Sequence, residues 1–298
     1  MPRFQVENIV KGCDLFPSRL RPFVRHPEIV ALGEDVVNQV LTRACYKWME
    51  DIAHTETDDV GRLCGLLANA HHAVPIPPQA RQVALTVMTD EAYHAYAARE
   101  FINGVAELTG VLPGDDFGTY GLKRAMSWVE NDVPEKDRQL LRIFALCIAE
   151  NTITAEIMGV AKETAADNPF HIVMKEHMMD EGRHAVFFQN LLEHVWSQLD
   201  NSARKSVCNY LPTFLEKYLF EPEYLLPYFK TMLGDSGVPE KIIKNVLAPK
   251  QMSQDKRLPF FYIMRNITHL FEKAGMMDHA DVRQVVKMAT GPTRNAQD

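Results

Sequence analysis

From about Glu34 to Leu199 the apolar positions recur every three or four residues, the period of an α-helix, and the strict alternation of a half-buried strand is missing. Leu41, Cys45, Trp48, Ile52, Val60, Leu63 and Leu67 form one stripe, predicting a first long helix over about 34–70. "VPIPP" (74–78) must end it, since proline cannot continue a helix. A second helix is expected over about 79–108, closed by the turn-formers of "GVLPGDDFG" (110–118). A shorter helix over about 121–131 stops at "NDVPEKD", a third long one runs over about 136–165, and "DNP" (167–169) separates it from a fourth over about 169–199. Beyond 201 the pattern breaks into shorter helices at "FEPEYLLP", "GDSGVPE", "APKQMSQ" and "EKAGMMD", with "PFFYIMRNITHLF" (259–271) the most apolar piece. The tail "TGPTRNAQD" is expected to be disordered. The pattern predicts one all-α domain over 1–298: a four-helix core over about 34–200 with peripheral helices over about 201–290.

Composition narrows the class. At 298 residues, 46% hydrophobic and 24% charged, the chain can bury a sizeable core. A net charge of −7 with scattered Lys and Arg lacks the basic face that nucleic acid requires. No apolar run approaches the roughly 20 residues of a membrane span. The first 23 residues carry charges and prolines where a secretion signal needs an unbroken apolar region. Five dispersed cysteines, with no CxxC pair, suit reduced thiols, so a cytoplasmic location is expected.

Certain polar residues do not fit this pattern. In "KEHMMDEGRHAVFF" (175–188), His177, Glu181 and His184 share one narrow helix face at about 100° per residue. Val173, Met174, Met178 and Phe188 flank that face. Polar groups set among apolar ones need partners, because burying a lone charge is costly. The second helix repeats part of the motif: "TDEAYHA" (89–95) and "MDEGRHA" (179–185) both read D-E-x-x-H, giving Glu91, His94, Glu181 and His184. Two ExxH motifs on two helices of a bundle, with one further Glu from each of the other two, are the ligand pattern of carboxylate-bridged dinuclear iron or manganese sites.

The remaining glutamates can be sought on that basis. Glu56 lies on the first helix's apolar stripe, between Ile52 and Val60. The third helix offers Glu150 and Glu156; Leu146, Cys147, Ile153 and Thr154 make the surroundings of Glu150 the more apolar, which favours Glu150. Glu56 precedes Glu91 by 35 positions and Glu150 precedes Glu181 by 31, so the chain reads as two similar halves. Four glutamates balance the charge of two Fe(II) ions, and carboxylates can bridge metals about 3.5 Å apart. Asp90 and Asp180 are candidates to accept the far N–H of a ligand histidine. His177 breaks the symmetry, since Val87 stands at the matching place in the other half. It would be a third histidine and a seventh ligand.

With these residues placed, the sequence resembles the p-aminobenzoate N-oxygenase family of diiron arylamine oxygenases. The likeness rests on Glu56, "TDEAYH" with Glu91 and His94, Glu150, and "HMMDEGRH" with His177, Glu181 and His184, and covers about 35–200. It implies a ferritin-like bundle, usually a homodimer, that binds two irons and uses O2 as co-substrate. It also implies oxidation of an amine nitrogen to hydroxylamine and onward to nitroso or nitro. The family includes biosynthetic enzymes acting on free arylamines and others acting on carrier-protein-tethered amines. No flavin or Fe–S motif is visible, so a separate electron donor is expected.

Two other functions fit two ExxH motifs: a diiron hydroxylase or oxidase acting on carbon, and a ferroxidase or iron-handling protein. A third histidine suits a retained cofactor better than iron in transit. Of the other notable residues, His71–His72 and His54 read as surface or structural groups. Tyr93 and the methionines of 174–179 read as packing, and Arg183 as a partner for a carboxylate near the site.

Overall fold

The computed structural model describes residues 15–69, 74–163, 168–220, 222–248 and 257–290. Among them there is no strand. Helix α1 (Glu34–His54) runs without a break into a π-helical segment, Thr55–Gly61, and then into α2 (Arg62–Ala68). The predicted straight helix is therefore present but widened in its middle. Ile52, Glu56, Val60 and Cys64 are spaced by four, and an α-helix carries each such step about 40° past a full turn. The wider turn reduces that rotation, and all four side chains stay buried.

Helix α3 (Pro78–Thr109) starts on a proline at its first position and ends at Gly110, whose φ of 70° is the left-handed cap that glycine adopts without strain. Helix α4 (Gly121–Asp132) leads to α5 (Glu135–Glu163). Helix α6 (Pro169–Gln198) is capped by Asn168, whose side chain accepts the Phe170 N–H at 2.9 Å. The α1–π–α2 run packs on α3, α3 on α6, and α6 along the length of α5, closing an antiparallel four-helix bundle. After it come α7 (Asn201–Leu215), α8 (Leu226–Asp235), α9 (Glu240–Val246), α10 (Arg257–Lys273) and α11 (Ala280–Thr290). Of these, α10 lies on α5, α8 on α1, and α11 on α7. The expected breaks at "FEPEYLLP", "GDSGVPE" and "EKAGMMD" all separate elements. Apart from Thr290, the C-terminal tail expected to be disordered falls outside the described residues, as do Cys13, most of "APKQMSQ" and the pair His71–His72.

Apolar packing forms two clusters stacked along the bundle. One holds Val60, Val87, Ala149 and Phe187; the other holds Ala53, Ala95 and Met174. The boundary falls at one level on all four helices. Glu56 lies between Ala53 and Val60, Glu91 between Val87 and Ala95, and Glu181 between Met174 and Phe187; Glu150 directly follows Ala149. Cys45, Cys64, Cys147 and Cys208 are free and buried. No helix is long and apolar enough to cross a membrane among the described residues.

Candidate metal centre

At that boundary Glu56, Glu91, His94, Glu150, His177, Glu181 and His184 are all 5% exposed or less. Donor atoms of Glu56, His94, His177 and Glu181 lie within 4.8 Å of one another, and so do those of Glu91, Glu181 and His184. Glu181 belongs to both sets. His177 Nε2 is 2.8 Å from Glu56 Oε1 and 3.1 Å from Glu181 Oε1. His184 Nδ1 is 3.0 Å from Glu91 Oε1 and 3.2 Å from Glu181 Oε1. His94 Nδ1 faces Glu91 Oε2 at 3.5 Å, and the His94 and His177 rings are 4.0 Å apart, centre to centre.

Glu150 belongs to neither set. It is buried at the same level and borders the same cavity as Glu56 and Glu181, but at a greater separation. Burial, then the charges of Glu91 and Glu181, push its carboxyl well above the usual range. The side chain of Glu156, the alternative weighed above, is outside the described residues.

The two aspartates act across the motifs rather than within them. His94 Nε2 lies 3.2 Å from Asp180 Oδ2, and His184 Nε2 lies 3.3 Å from Asp90 Oδ2. Each DExxH motif thus orients the histidine of the other, with Nδ1 turned inward and Nε2 turned to a carboxylate. Arg183 joins the two outer groups, with Nη2 2.7 Å from Asp180 Oδ1 and 3.2 Å from Asp90 Oδ2. One further group was not anticipated. Thr154 Oγ1 is 3.0 Å from Glu181 Oε2 and 2.8 Å from the Glu150 carbonyl, so its single proton serves one of them at a time. Its place four residues after Glu150 is the signal for it in the sequence, where by pattern alone it belongs to the apolar surroundings of that glutamate. Tyr93 and Met179 were expected to pack; they are 38% and 65% exposed and line the mouth of a cavity beside His94 and His177. His54 is structural as expected, pairing with Glu50 at 3.3 Å and Asp58 at 3.1 Å.

The electrostatics are those of a donor set held together by protons. Burial raises the Glu56 carboxyl to about 7, against the pull of His177. Burial also acts on Glu181, but hydrogen bonds from His177 and His184 outweigh it and hold that carboxyl below its ordinary range. Burial would lower His184, yet Glu181 and Glu91 lift it to about 11; His177 is raised for the same reason by Glu56 and Glu181. Several buried atoms still lack a hydrogen bond: Glu56 Oε2, Glu91 Oε2, Glu150 Oε2 and His94 Nδ1. Buried acceptors left unsatisfied cost about 1–3 kcal/mol each, more when charged. Four carboxylates and three imidazoles with inward lone pairs suit divalent cations of the iron type.

An all-helical bundle with two such sets sharing one carboxylate defines the class: a ferritin-like protein with a carboxylate–histidine centre. The sequence agrees. Residues 15–228 match the family described as P-aminobenzoate N-oxygenase AurF, and the chain belongs to that family. It is similar to a 4-aminobenzoate N-oxygenase of Streptomyces thioluteus, 22% identical over 207 residues, or 68% of this chain and 61% of that protein. The chain thus spans less than two thirds of the relative's length.

Proposed function

We propose that this protein is a non-haem diiron oxygenase that uses O2 to oxidise the nitrogen of a primary amine, in the biosynthesis of a natural product. Glu56, His94, His177 and Glu181 would hold one iron, Glu91, Glu181 and His184 the other, and Glu150 would complete the set. The observation that carries this is Glu181, shared between two buried donor groups. Family membership supports nitrogen over carbon as the atom oxidised, and the 4-aminobenzoate N-oxygenase supports an arylamine substrate. The third histidine supports a retained cofactor over iron in transit. Electrons would come from a separate donor protein. The free buried cysteines fit a cytoplasmic location, and a homodimer is the assembly expected of the family.

Bound iron would supply reduction of O2, with one oxygen atom passing to nitrogen and the other leaving as water at the expense of two electrons and two protons. The rest falls to the protein. Asp180 and Asp90 hold the Nε2 protons of His94 and His184, which keeps the Nδ1 lone pairs facing inward. Thr154 can donate to Glu181, steadying the shared carboxylate. The protons that join His177 and His184 to the glutamates must leave as a cation enters, so loading releases acid.

The test is anaerobic titration of the apoprotein with Fe(II), then exposure to O2 with a panel of amines and mass analysis. Two irons per chain and oxygen on nitrogen are expected. Uptake well short of two, or products with oxygen on carbon alone, would refute the reading. Glu181→Ala should reduce both sites, and unchanged metal content would remove it from the ligand set.

A further inference from the structure

Glu181 presents its two oxygens to different partners. Oε1 lies 3.1 Å from His177 Nε2, 3.2 Å from His184 Nδ1 and 3.8 Å from His94 Nδ1. His94 and His177 belong to one donor set and His184 to the other, so a single oxygen faces both. Oε2 faces the Thr154 hydroxyl at 3.0 Å, and among the described residues it has no other hydrogen bond.

The hydroxyl has a second acceptor within reach, the Glu150 carbonyl at 2.8 Å. That carbonyl lies inside α5, where the helical pattern already pairs it with the Thr154 backbone N–H. The carboxylate is the stronger acceptor, because charge-assisted hydrogen bonds are roughly twice as strong as neutral ones. Thr152, two residues earlier, is the contrast. It is buried like Thr154, yet its hydroxyl meets only the Ile148 carbonyl, at 2.8 Å. Thr154 therefore differs from an ordinary buried helix threonine: it reaches an anion on another helix, from α5 to α6.

We propose that Thr154 is a positioning residue that fixes how the shared carboxylate binds: its hydroxyl holds Glu181 Oε2 away from the ions, so that Oε1 alone is shared between them. This rests on the two-metal reading above and deepens it. A carboxylate that ligates through both oxygens fills one position more than a carboxylate that uses one. By engaging Oε2, Thr154 leaves that position free for O2. Without the hydroxyl, Oε2 would be a buried acceptor with no donor, and a neighbouring cation is the partner it would turn to.

The test reads metal coordination, not turnover. The full chain is loaded with Co(II) without O2, and its visible absorption and crystal structure are recorded. Co(II) suits the same nitrogen and oxygen donors. Its absorption per ion weakens as ligands are added. The unaltered protein should hold two ions with Oε2 bound to neither. In Thr154→Val, which keeps the branched shape and removes the donor, absorption per ion should fall. Oε2 should then stand about 2.0–2.2 Å from an ion, the ordinary carboxylate–metal distance. Thr154→Ser, which restores the donor, and Thr152→Val should both match the unaltered protein. An unchanged spectrum and Oε2 position in Thr154→Val would overturn the proposal, as would Oε2 already bound in the unaltered protein. The same holds if Thr154→Ser resembles Thr154→Val, or if Thr152→Val shows the same change. Fewer than two ions in Thr154→Val alone would also overturn it, since the hydroxyl would then be a condition of binding rather than the group that selects the oxygen. If Thr154→Val does not fold, Thr154→Ala is read in the same way. Fewer than two Co(II) in the unaltered protein would overturn the two-metal reading and this proposal with it; each of the other failures leaves that reading standing.

Discussion

Gly61 closes the π segment that carries Glu56, and it is the place to ask whether that segment serves the site. A Cβ built there lies 2.9 Å from the Glu56 carbonyl oxygen, where ordinary contact begins at 3.4 Å. The obstacle is backbone, so it cannot swing aside. Gly61→Ala must push the turn apart by about 0.5 Å or let it revert to α geometry. Overpacking of this kind costs about 1–3 kcal/mol. Replacing glycine inside a helix returns about 1 kcal/mol. The net loss of stability is therefore about 0–2 kcal/mol, a few °C in melting temperature. The effect on the site should be larger than that. Reversion to α geometry swings the chain by about 100° for the residue dropped from the turn, which would take Glu56 away from its place 2.8 Å from His177 Nε2. Fe(II) affinity of the set containing Glu56 should fall at least about tenfold.

The control is one turn further on. At Gly65 the added Cβ would meet only Met88 Sδ at 3.7 Å, an ordinary contact. Gly65→Ala should be neutral or stabilising by up to about 1 kcal/mol and should keep its metal. The assay is a thermal melt of each apoprotein together with anaerobic Fe(II) titration. If Gly61→Ala matches Gly65→Ala in both, the π segment does not place Glu56 and the reasoning fails.

Other expectations follow from the outer contacts. Because the aspartates act across the motifs, Asp180→Asn should weaken the set that contains His94 and Asp90→Asn the set that contains His184, each by about 10–100-fold in metal affinity. Site-resolved iron spectra showing each variant damaging its own motif's histidine would refute the crossing. Tyr120 donates to Asp59 Oδ2 at 2.9 Å and so braces the π segment from outside the site. Tyr120→Phe should cost about 1–3 kcal/mol in urea unfolding while both irons still bind; loss of an iron would show that the brace is part of the centre. Stability should also depend on pH. Burial raises the carboxyls of Glu56 to about 7 and Asp59 to about 6, so the protonated form is favoured in the folded protein and stability falls as pH rises through that range. His177 and His184 are raised by their carboxylate partners against burial, so their contribution, full below about 6.5, is also lost as pH climbs. Glu181, held low, acts in the opposite sense only at acid pH. The metal-free protein should melt lower at about pH 9 than at about pH 6, and an apoprotein more stable at the higher pH would contradict these shifts.

The boundaries of the long helices were legible because prolines and glycines mark them: α3 starts at Pro78 and stops at Gly110, and α6 starts at Pro169 behind its Asn168 cap. The donor residues were legible for a different reason. Two DExxH motifs at helical spacing on two helices point to one level of a bundle, and the four glutamates and three histidines are buried together there. The misses share one property: they depend on contacts between elements far apart in sequence. The crossing of Asp90 and Asp180 follows from the stagger of α3 against α6, which no local pattern records. Thr154 counts as apolar surroundings until the carboxylate opposite it is known. The π segment reflects the need to keep Ile52, Glu56, Val60 and Cys64 on one face, and four-residue spacing also fits an ordinary helix within the tolerance of a stripe. Lys47 is the sharpest case. By pattern it is a charged residue one position from the stripe's Trp48, with Asp51 an ordinary i,i+4 partner of the kind found on exposed faces. Only the packing of Tyr228 and the Thr119 carbonyl over it buries the Lys47 ammonium completely, leaving Asp51 half-buried beside it. The residues proposed to hold metal are thus written along single helices, while the cavity beside them is lined by residues as far apart as Arg21, Asp51 and Leu225.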